Sequence, residues 1–390
     1  MLLPKLAYRN LVGAGLRAWL NVGVLSFTYV LIIWHQGIFS GMYRQTSFDT
    51  IKDEIGGGQY WHHNYDPFDP LKLEDAHGPI PHELEGLVDS GDAAAVLIRQ
   101  ATIYPEGRVQ SVLLKGIDPG QEVLGIPTKA LADGSKTLPV MIGKIMARRN
   151  SFKTGNLITI RWRDAYGAFD ATEGEVVEIM NSNVPAVDAG QLWVPLERLR
   201  EMTALPGEAT LVIVGQDLND LPRAGEWVFK NQEYLLEDII NMVRAKRIGG
   251  IILYAILLFL AMLAIFDTQV LAIFRRRKEI GMLMALGMTR GRVIMLFTLE
   301  GMMNGILALA VGAVYGIPIL YYTAKNGIPL PYSGEEWGIA LTARLFPYYS
   351  LWLIGITVVI VMLTVAIVSY LPSRRISAMK PTDAIRGKMT

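Results

Sequence analysis

The chain of 390 residues contains no cysteine. That excludes disulfides, thiolate metal sites, a thiol nucleophile and the acylated cysteine of a lipobox. It also lacks net charge of either sign: 37 Lys and Arg against 36 Asp and Glu give +1, so overall charge supports no nucleic-acid partner. No G-x4-G-K-[ST] phosphate loop is present. The nearest stretch, "ADGSKT" (132–137), lacks the first glycine at the required spacing, so the chain has no Walker-type ATP site. Nor does the sequence show a nucleophile–base constellation, or the pair of intramembrane aspartates that a protease in the bilayer needs. Charged residues make up only 19% of the chain and hydrophobic ones 51%, with a mean hydropathy of +0.30. This balance is too apolar for an ordinary soluble protein and too polar for a pure membrane bundle, so membrane spans plus a sizeable aqueous domain are expected.

Apolar runs of about 20 residues read as transmembrane helices. They fall at 19–42 ("WLNVGVLSFTYVLIIWHQGIFSGM"), 248–274 ("IGGIILYAILLFLAMLAIFDTQVLAIF"), 293–322 and 350–371 ("SLWLIGITVVIVMLTVAIVSYL"). The first is too long for a signal peptide and no small-residue cleavage site follows it. Basic residues orient the spans. Lys5, Arg9 and Arg17 near the start, the 275–292 loop, and Arg374, Arg375, Lys380, Arg386 and Lys388 in the 372–390 tail all fall on one side, expected to be the cytoplasm. The 43–247 insert and the 323–349 loop fall on the other. Arg244, Lys246 and Arg247 run against this pattern and read as part of a helical stalk entering the second span.

Most of the acid sits in the insert: residues 46–243 hold 30 Asp and Glu against 17 Lys and Arg, as suits a well-solvated domain. Its pattern is α/β. "AAAVLIRQATIYP", "VQSVLLKGID", "NLITIRWRD", "EGEVVEIMN", "QLWVPL" and "ATLVIVGQ" read as strands. "IGKIMARRNSF" and "LERLREM" read as short helices, and "KNQEYLLEDIINMVRAKRI" as an amphipathic lead into the second span. His62 and His63 are adjacent. On a strand they would point to opposite faces, so no metal site is expected there. Tyr60, Trp61 and Tyr65 read as packing at the base of the domain, near the bilayer interface.

The stretch between the second and third spans, "FRRRKEIGMLMALGMTRGR" (274–292), joins a basic cluster to an uncharged, helix-prone run too short to cross a bilayer. Such a helix must bury itself in something: a tight re-entrant or interfacial turn is the plain alternative, and docking into a groove of a separate cytoplasmic subunit is the expected role. Lys278, Glu279, Ile280, Gly281, Met284, Ala285, Leu286, Gly287 and Thr289 are its candidate contacts, with Gly281, Ala285 and Gly287 permitting close backbone approach. Asp267 and Glu300 are intramembrane carboxylates and therefore functional candidates. With His35 they are otherwise read as helix-packing hydrogen-bonding groups.

"FDTQVLAIFRRRKEIGMLMALGMTRGRV" followed by "LFTLEG", the ending "LPSRRISAMKPTDAIRG" and the beginning "LAYRNLVGAGLRAWL" together resemble the FtsX-like permeases of MacB-type (type VII) ABC transporters. Departures fall at Asp267, where Asn is common, and at Arg275, where Glu is common. "LLKGIDP", "VMIGKIMARRNSFKTGNLITI" and "GGGQYWHHNYDP" are similar to segments of the LolC/LolE lipoprotein-releasing permeases, with Asn156 where Asp is usual. The resemblance implies an α-helical membrane protein with four spans and a large α/β periplasmic domain, of the MacB periplasmic-core type, inserted between the first two. Residues 1–18 would form a cytoplasmic amphipathic helix. It further implies a bacterial inner-membrane location, a partner ABC ATPase that carries the ATP and Mg2+, and a second permease, identical or paralogous. The chain itself would be neither enzyme nor cofactor carrier. The expected client is a lipoprotein taken from the outer leaflet and passed to a periplasmic carrier. Its acyl chains would be held near membrane lipid by Val24, Phe27, Val30 and Ile33. Export of peptides or drugs through a periplasmic adaptor, and mechanotransmission to a periplasmic partner, are the alternatives.

Overall fold

A computed structural model describes residues 16–132, 137–218, 221–329 and 344–377. The 1–15 part of the amphipathic lead-in and the tail beyond 377 lie outside them. In chain order the elements are α1 (Leu16–Thr50), continued by a π-helical turn (Ile51–Ile55), β1 (Gly58–Trp61), β2 (Gly78–Pro79), α2 (His82–Asp89), β3 (Ala93–Ile103), β4 (Gln110–Ile117), β5 (Leu138–Gly143), α3 (Lys144–Arg149), β6 (Leu157–Arg163) and β7 (Phe169–Met180). Then come α4 (Pro185–Gly190), β8 (Gln191–Pro195), α5 (Leu196–Thr203), β9 (Glu208–Ala209), β10 (Leu211–Val214), β11 (Val228–Asn231), α6 (Gln232–Leu235), α7 (Glu237–Arg275), α8 (Arg277–Ala285), α9 (Arg290–Asn326), β12 (Ile328–Pro329), β13 (Arg344–Leu345) and α10 (Leu351–Ser377).

The chain divides into two units. One comprises 1–42, 242–328 and 345–390; the other comprises 43–241 and 329–344. In the first unit, α1, α7, α9 and α10 are the four helices, among the described residues, long and apolar enough to cross a membrane. They meet at Val22, Leu25 and Tyr29 of α1, Ala261 and Ile265 of α7, Ala308 of α9, and Val361, Val365 and Val368 of α10. A stripe of glycine on α9 lets its neighbours approach. A Cβ at Gly301 or Gly305 would run into Ser369 or Met362 of α10, and one at Gly316 would run into Val30 of α1. Small residues four apart do this in membranes because dispersion and close backbone contact, rather than the hydrophobic effect, hold helices together there.

In the second unit the main sheet has the order β11-β1-β10-β3-β4-β8-β5-β7-β6, and β6 pairs back onto β3. Strand β3 is 11 residues long. Its first half pairs with β10 and its last three residues with β6, so β3, β4, β8, β5, β7 and β6 close into a barrel while β10, β1 and β11 extend from it. Alternation along the strands makes two cores. Leu97, Leu114, Val140, Ile142, Leu192 and Val194 belong to one. Val96, Ile98, Ile117, Met141 and Trp193 belong to the other.

The strands and short helices expected from the pattern are present, and β7 begins earlier, at Phe169. Three features go beyond that pattern and have physical causes. First, α1 does not stop with its apolar run at Met42. It continues to Thr50 and into the π turn, because its later polar residues find partners: Ser182 Oγ donates to Asp53 (2.8 Å) and Asn183 to Asp49 (2.9 Å). Second, Glu54 of the same turn lies 3.8 Å from Lys115 Nζ, which is buried and sits over the Trp193 ring at 5.1 Å. Burial pushes this ammonium's pKa down. Third, the lead into the second span is not one helix. Strand β11 takes Lys230 and Asn231, Asn231 caps α6 through a bond from the Tyr234 N–H, and α7 begins afresh at Glu237.

Candidate functional site

The segment between the second and third apolar helices is a helical corner. Helix α7 ends at Arg275, and Arg276 (φ −93°, ψ 13°) breaks the helix before α8 begins. The C-terminus of α8 is closed by a Schellman arrangement. The Met288 N–H donates to the Leu283 carbonyl (3.0 Å) and the Gly287 N–H to that of Met284 (3.1 Å). Gly287 has φ +97°, a left-handed conformation that disfavours any side chain. Its role here is therefore to turn the chain, and the close-approach reading of this glycine is not needed to explain it. Thr289 is extended (ψ 151°) and starts α9.

One face of α8 is covered by its own chain. Ile280 is buried against Ile273, Val293 and Phe297, with Met284 and Met288 beside them. Gly281 is buried as well. On that side the helix buries itself in its own chain, where the expectation was burial in a separate subunit. Lys278, Glu279, Ala285, Leu286, Gly287 and Thr289 remain exposed. Met282 and Leu286 project furthest, at 59% and 79% exposure. A short helix with two protruding apolar side chains, set between exposed Arg275 and Lys278 on one end and Arg290 and Arg292 on the other, offers a complementary groove an apolar centre and a charged rim.

The four residues grouped as client contacts do not share a face. Val24 and Phe27 are exposed on α1, at 44% and 57%, whereas Ile33 is buried in the bundle and Val30 packs at Gly316. The two carboxylates also separate. Asp267 is exposed on α7. Glu300 is buried on α9 and accepts from Arg276 Nη1 with both oxygens, at 3.0 and 3.2 Å. His35 Nδ1 lies 2.9 Å from the Tyr254 hydroxyl, a helix-packing contact.

His62 and His63 lie just past the end of β1, so strand geometry does not send them to opposite faces: their rings are 4.2 Å apart. His63 faces Glu226 at 3.5 Å, and His77 bonds Glu208 nearby. Among the described residues no group of three His, Cys, Asp or Glu converges as metal ligands would. Tyr60 is buried and donates to the Pro222 carbonyl, while Trp61 packs edge-on against Tyr65.

Sequence reasoning misses Arg276 and the α9 glycines. The glycines leave a signal: Gly301 and Gly305, and again Gly312 and Gly316, are spaced four apart. Arg276 leaves none, being one of four consecutive basic residues.

Residues 251–381, which hold α8 and most of the apolar helices around it, match the family described as FtsX-like permease C-terminal. No curated protein matches the chain. A solved structure, the extracellular domain of the noncanonic ABC-type transporter YknZ from Gram-positive bacteria, is similar over 47% of this chain and 94% of that one, at 16% identity and a TM-score of 0.28.

Proposed function

We propose that the chain is the permease subunit of an ABC-type complex of the bacterial inner membrane, and that α8 is the element that docks on a separate ATPase. The observation that carries this reading is the position of α8 inside the FtsX-like region, with Met282 and Leu286 turned outward. ATP and Mg2+ belong to the partner, since this sequence has no phosphate loop. The basic residues beside the spans favour α8 on the cytoplasmic side and the α/β unit on the periplasmic side. In this reading two permeases pair, identical or paralogous. Nucleotide-driven movement enters at α8, passes along α7 and α9, and reaches the α/β unit through the helices that enter and leave it.

The client favoured by the resemblance is a lipoprotein of the outer leaflet, handed to a periplasmic carrier. The exposed pair Val24 and Phe27 on α1 is the support in this structure, as a surface on which acyl chains pack. Two experiments test the proposal. Met282→Glu with Leu286→Glu is expected to abolish co-purification of the ATPase while insertion stays normal; retained ATPase removes α8 as the docking element. Release assays in proteoliposomes then compare a triacylated protein with its non-acylated form. Release of the acylated form alone supports the lipoprotein reading. Transport of soluble peptide replaces it with export. ATP-dependent activation of a periplasmic partner with nothing released replaces it with mechanotransmission.

A further inference from the structure

We infer that the Arg276–Glu300 ion pair is a latch that holds α8 in its seat on α9 and makes its displacement a displacement of the whole helix bundle end. Helix α8 has 9 residues, and only Ile280 among its apolar side chains is fully covered. A helix so short is not stable by its own hydrogen bonds and depends on what it packs against. Arg276 is the single non-helical residue between α7 and α8, and its carbonyl accepts from the Ile280 N–H at 2.9 Å. The residue that anchors the first turn of α8 is thus the one whose guanidinium is bound to the third apolar helix.

The far end of the latch is fixed in turn. Glu300 is 7% exposed, so its charge relies on a partner rather than on water. Asn304 Nδ2 donates to its backbone carbonyl at 3.4 Å. The next residue, Gly301, has no room for a Cβ because Ser369 of α10 and Gln269 of α7 already fill that space. Ser369 and Gln269 are both buried. Arg276 therefore connects α8 to a point where α7, α9 and α10 interlock. The ion pair thus adds, to the chain connections and the Ile280 contacts, a direct link from α8 to that interlocked point.

The role in transmission rests on the proposed docking of an ATPase at α8; the latch itself does not. Because the chain has no cysteine, Ile280→Cys is a reporter of whether α8 is seated. In the full-length permease in detergent, Arg276→Gln and Glu300→Gln are each expected to raise the maleimide reaction rate at this cysteine by about tenfold or more, because removing one partner of a buried ion pair favours local opening. Arg276→Lys, which keeps the charge, is expected to keep the parental rate. Ala308→Cys, at a fully buried position on α9, serves as the control for general loosening. An unchanged rate at position 280 overturns the latch, as does an equal rise at position 308. With the ATPase present, the glutamine variants are expected to retain it at parental stoichiometry and lose most client-stimulated hydrolysis. Intact stimulation despite faster labelling overturns the transmission role. Should the parental permease bind no ATPase, the proposed function falls, and the labelling rates still decide the latch.

Discussion

Ser369 Oγ of α10 occupies the space that a Cβ on Gly301 of α9 would need. Farther along α9, Gly316 stands in the same relation to Val30 of α1, at 2.6 Å. Gly301→Leu and Gly316→Leu are each expected to lower stability by about 1–3 kcal/mol through overpacking. Gly355 on α10 has nothing within 4 Å, so Gly355→Ala is expected to be neutral or stabilising, by about 1 kcal/mol at most. Thermal unfolding of the full chain in detergent checks all three. Equal midpoints for the leucine variants and the parent would show that the helices do not pack through these notches.

A second expectation concerns Lys115 and Glu54, 3.8 Å apart in the α/β unit. Removing one partner leaves a buried charge unmatched, so Glu54→Gln is expected to destabilise by about 3–5 kcal/mol. Lys115→Met with Glu54→Gln removes both charges and is expected to restore most of that loss, because an apolar side chain suits the surroundings of Ile117, Met141 and Trp193. Denaturation of the single and double variants decides it. A double variant as weak as Glu54→Gln would show that the cost comes from packing and not from the unpaired ammonium.

His62, just past β1, makes stability depend on pH. Burial, and after it the neighbouring His63 and His77, hold the His62 pKa below the ordinary 6.5, against the opposing pull of Glu226 and Glu208. A group whose pKa is depressed on folding contributes stability above its unfolded value and loses it as pH falls through the folded one. The α/β unit is therefore expected to weaken as pH drops below 6.5, and His62→Asn to weaken less. His82, raised by its bond to Glu85, acts with the opposite sign and is common to both proteins, so the comparison isolates His62. Parallel acid limbs in thermal melts would remove His62 as the cause.

Orientation is testable with single cysteines. Gly116 is unsuitable as a reporter because Leu199 lies over it, 2.9 Å from where a Cβ would stand. Leu71 is 88% exposed in the α/β unit, and Gly291 is exposed beside α8. Leu71→Cys is expected to react with an impermeant maleimide in intact spheroplasts, and Gly291→Cys only after lysis. The reverse result would put the α/β unit in the cytoplasm and exclude the proposed arrangement.

Much of this is legible in the sequence because the relevant physics is local or one-dimensional. Membrane-length apolar runs must become helices, since lipid leaves backbone groups no other partner. The spans therefore appear in the residue string as plainly as in the structure. Alternation likewise marks the strands that carry Leu97, Leu114 and Val194. The corner around α8 is recognisable from its basic flank and from a run too short to cross a bilayer, whereas Gly287, read there as allowing close approach, is shown by the structure to be where the chain turns left-handed.

Other features exist only once distant segments meet. Hydropathy ends the first span near Met42, yet α1 runs on because Ser182 and Asn183 receive its acidic residues. Val24, Phe27, Val30 and Ile33 read alike as apolar residues of one helix. Packing alone decides that the first two face outward while Val30 meets Gly316. Within the run of four basic residues, composition makes Arg276 indistinguishable from Arg275. Its position opposite Glu300, 24 residues later, gives it a partner. The helices that can cross a membrane, the α/β insert and the corner follow from the order of residues alone, because each depends on neighbours along the chain. Which charges pair, which faces remain open and where the barrel closes were settled in three dimensions, because those depend on contacts between residues far apart in sequence.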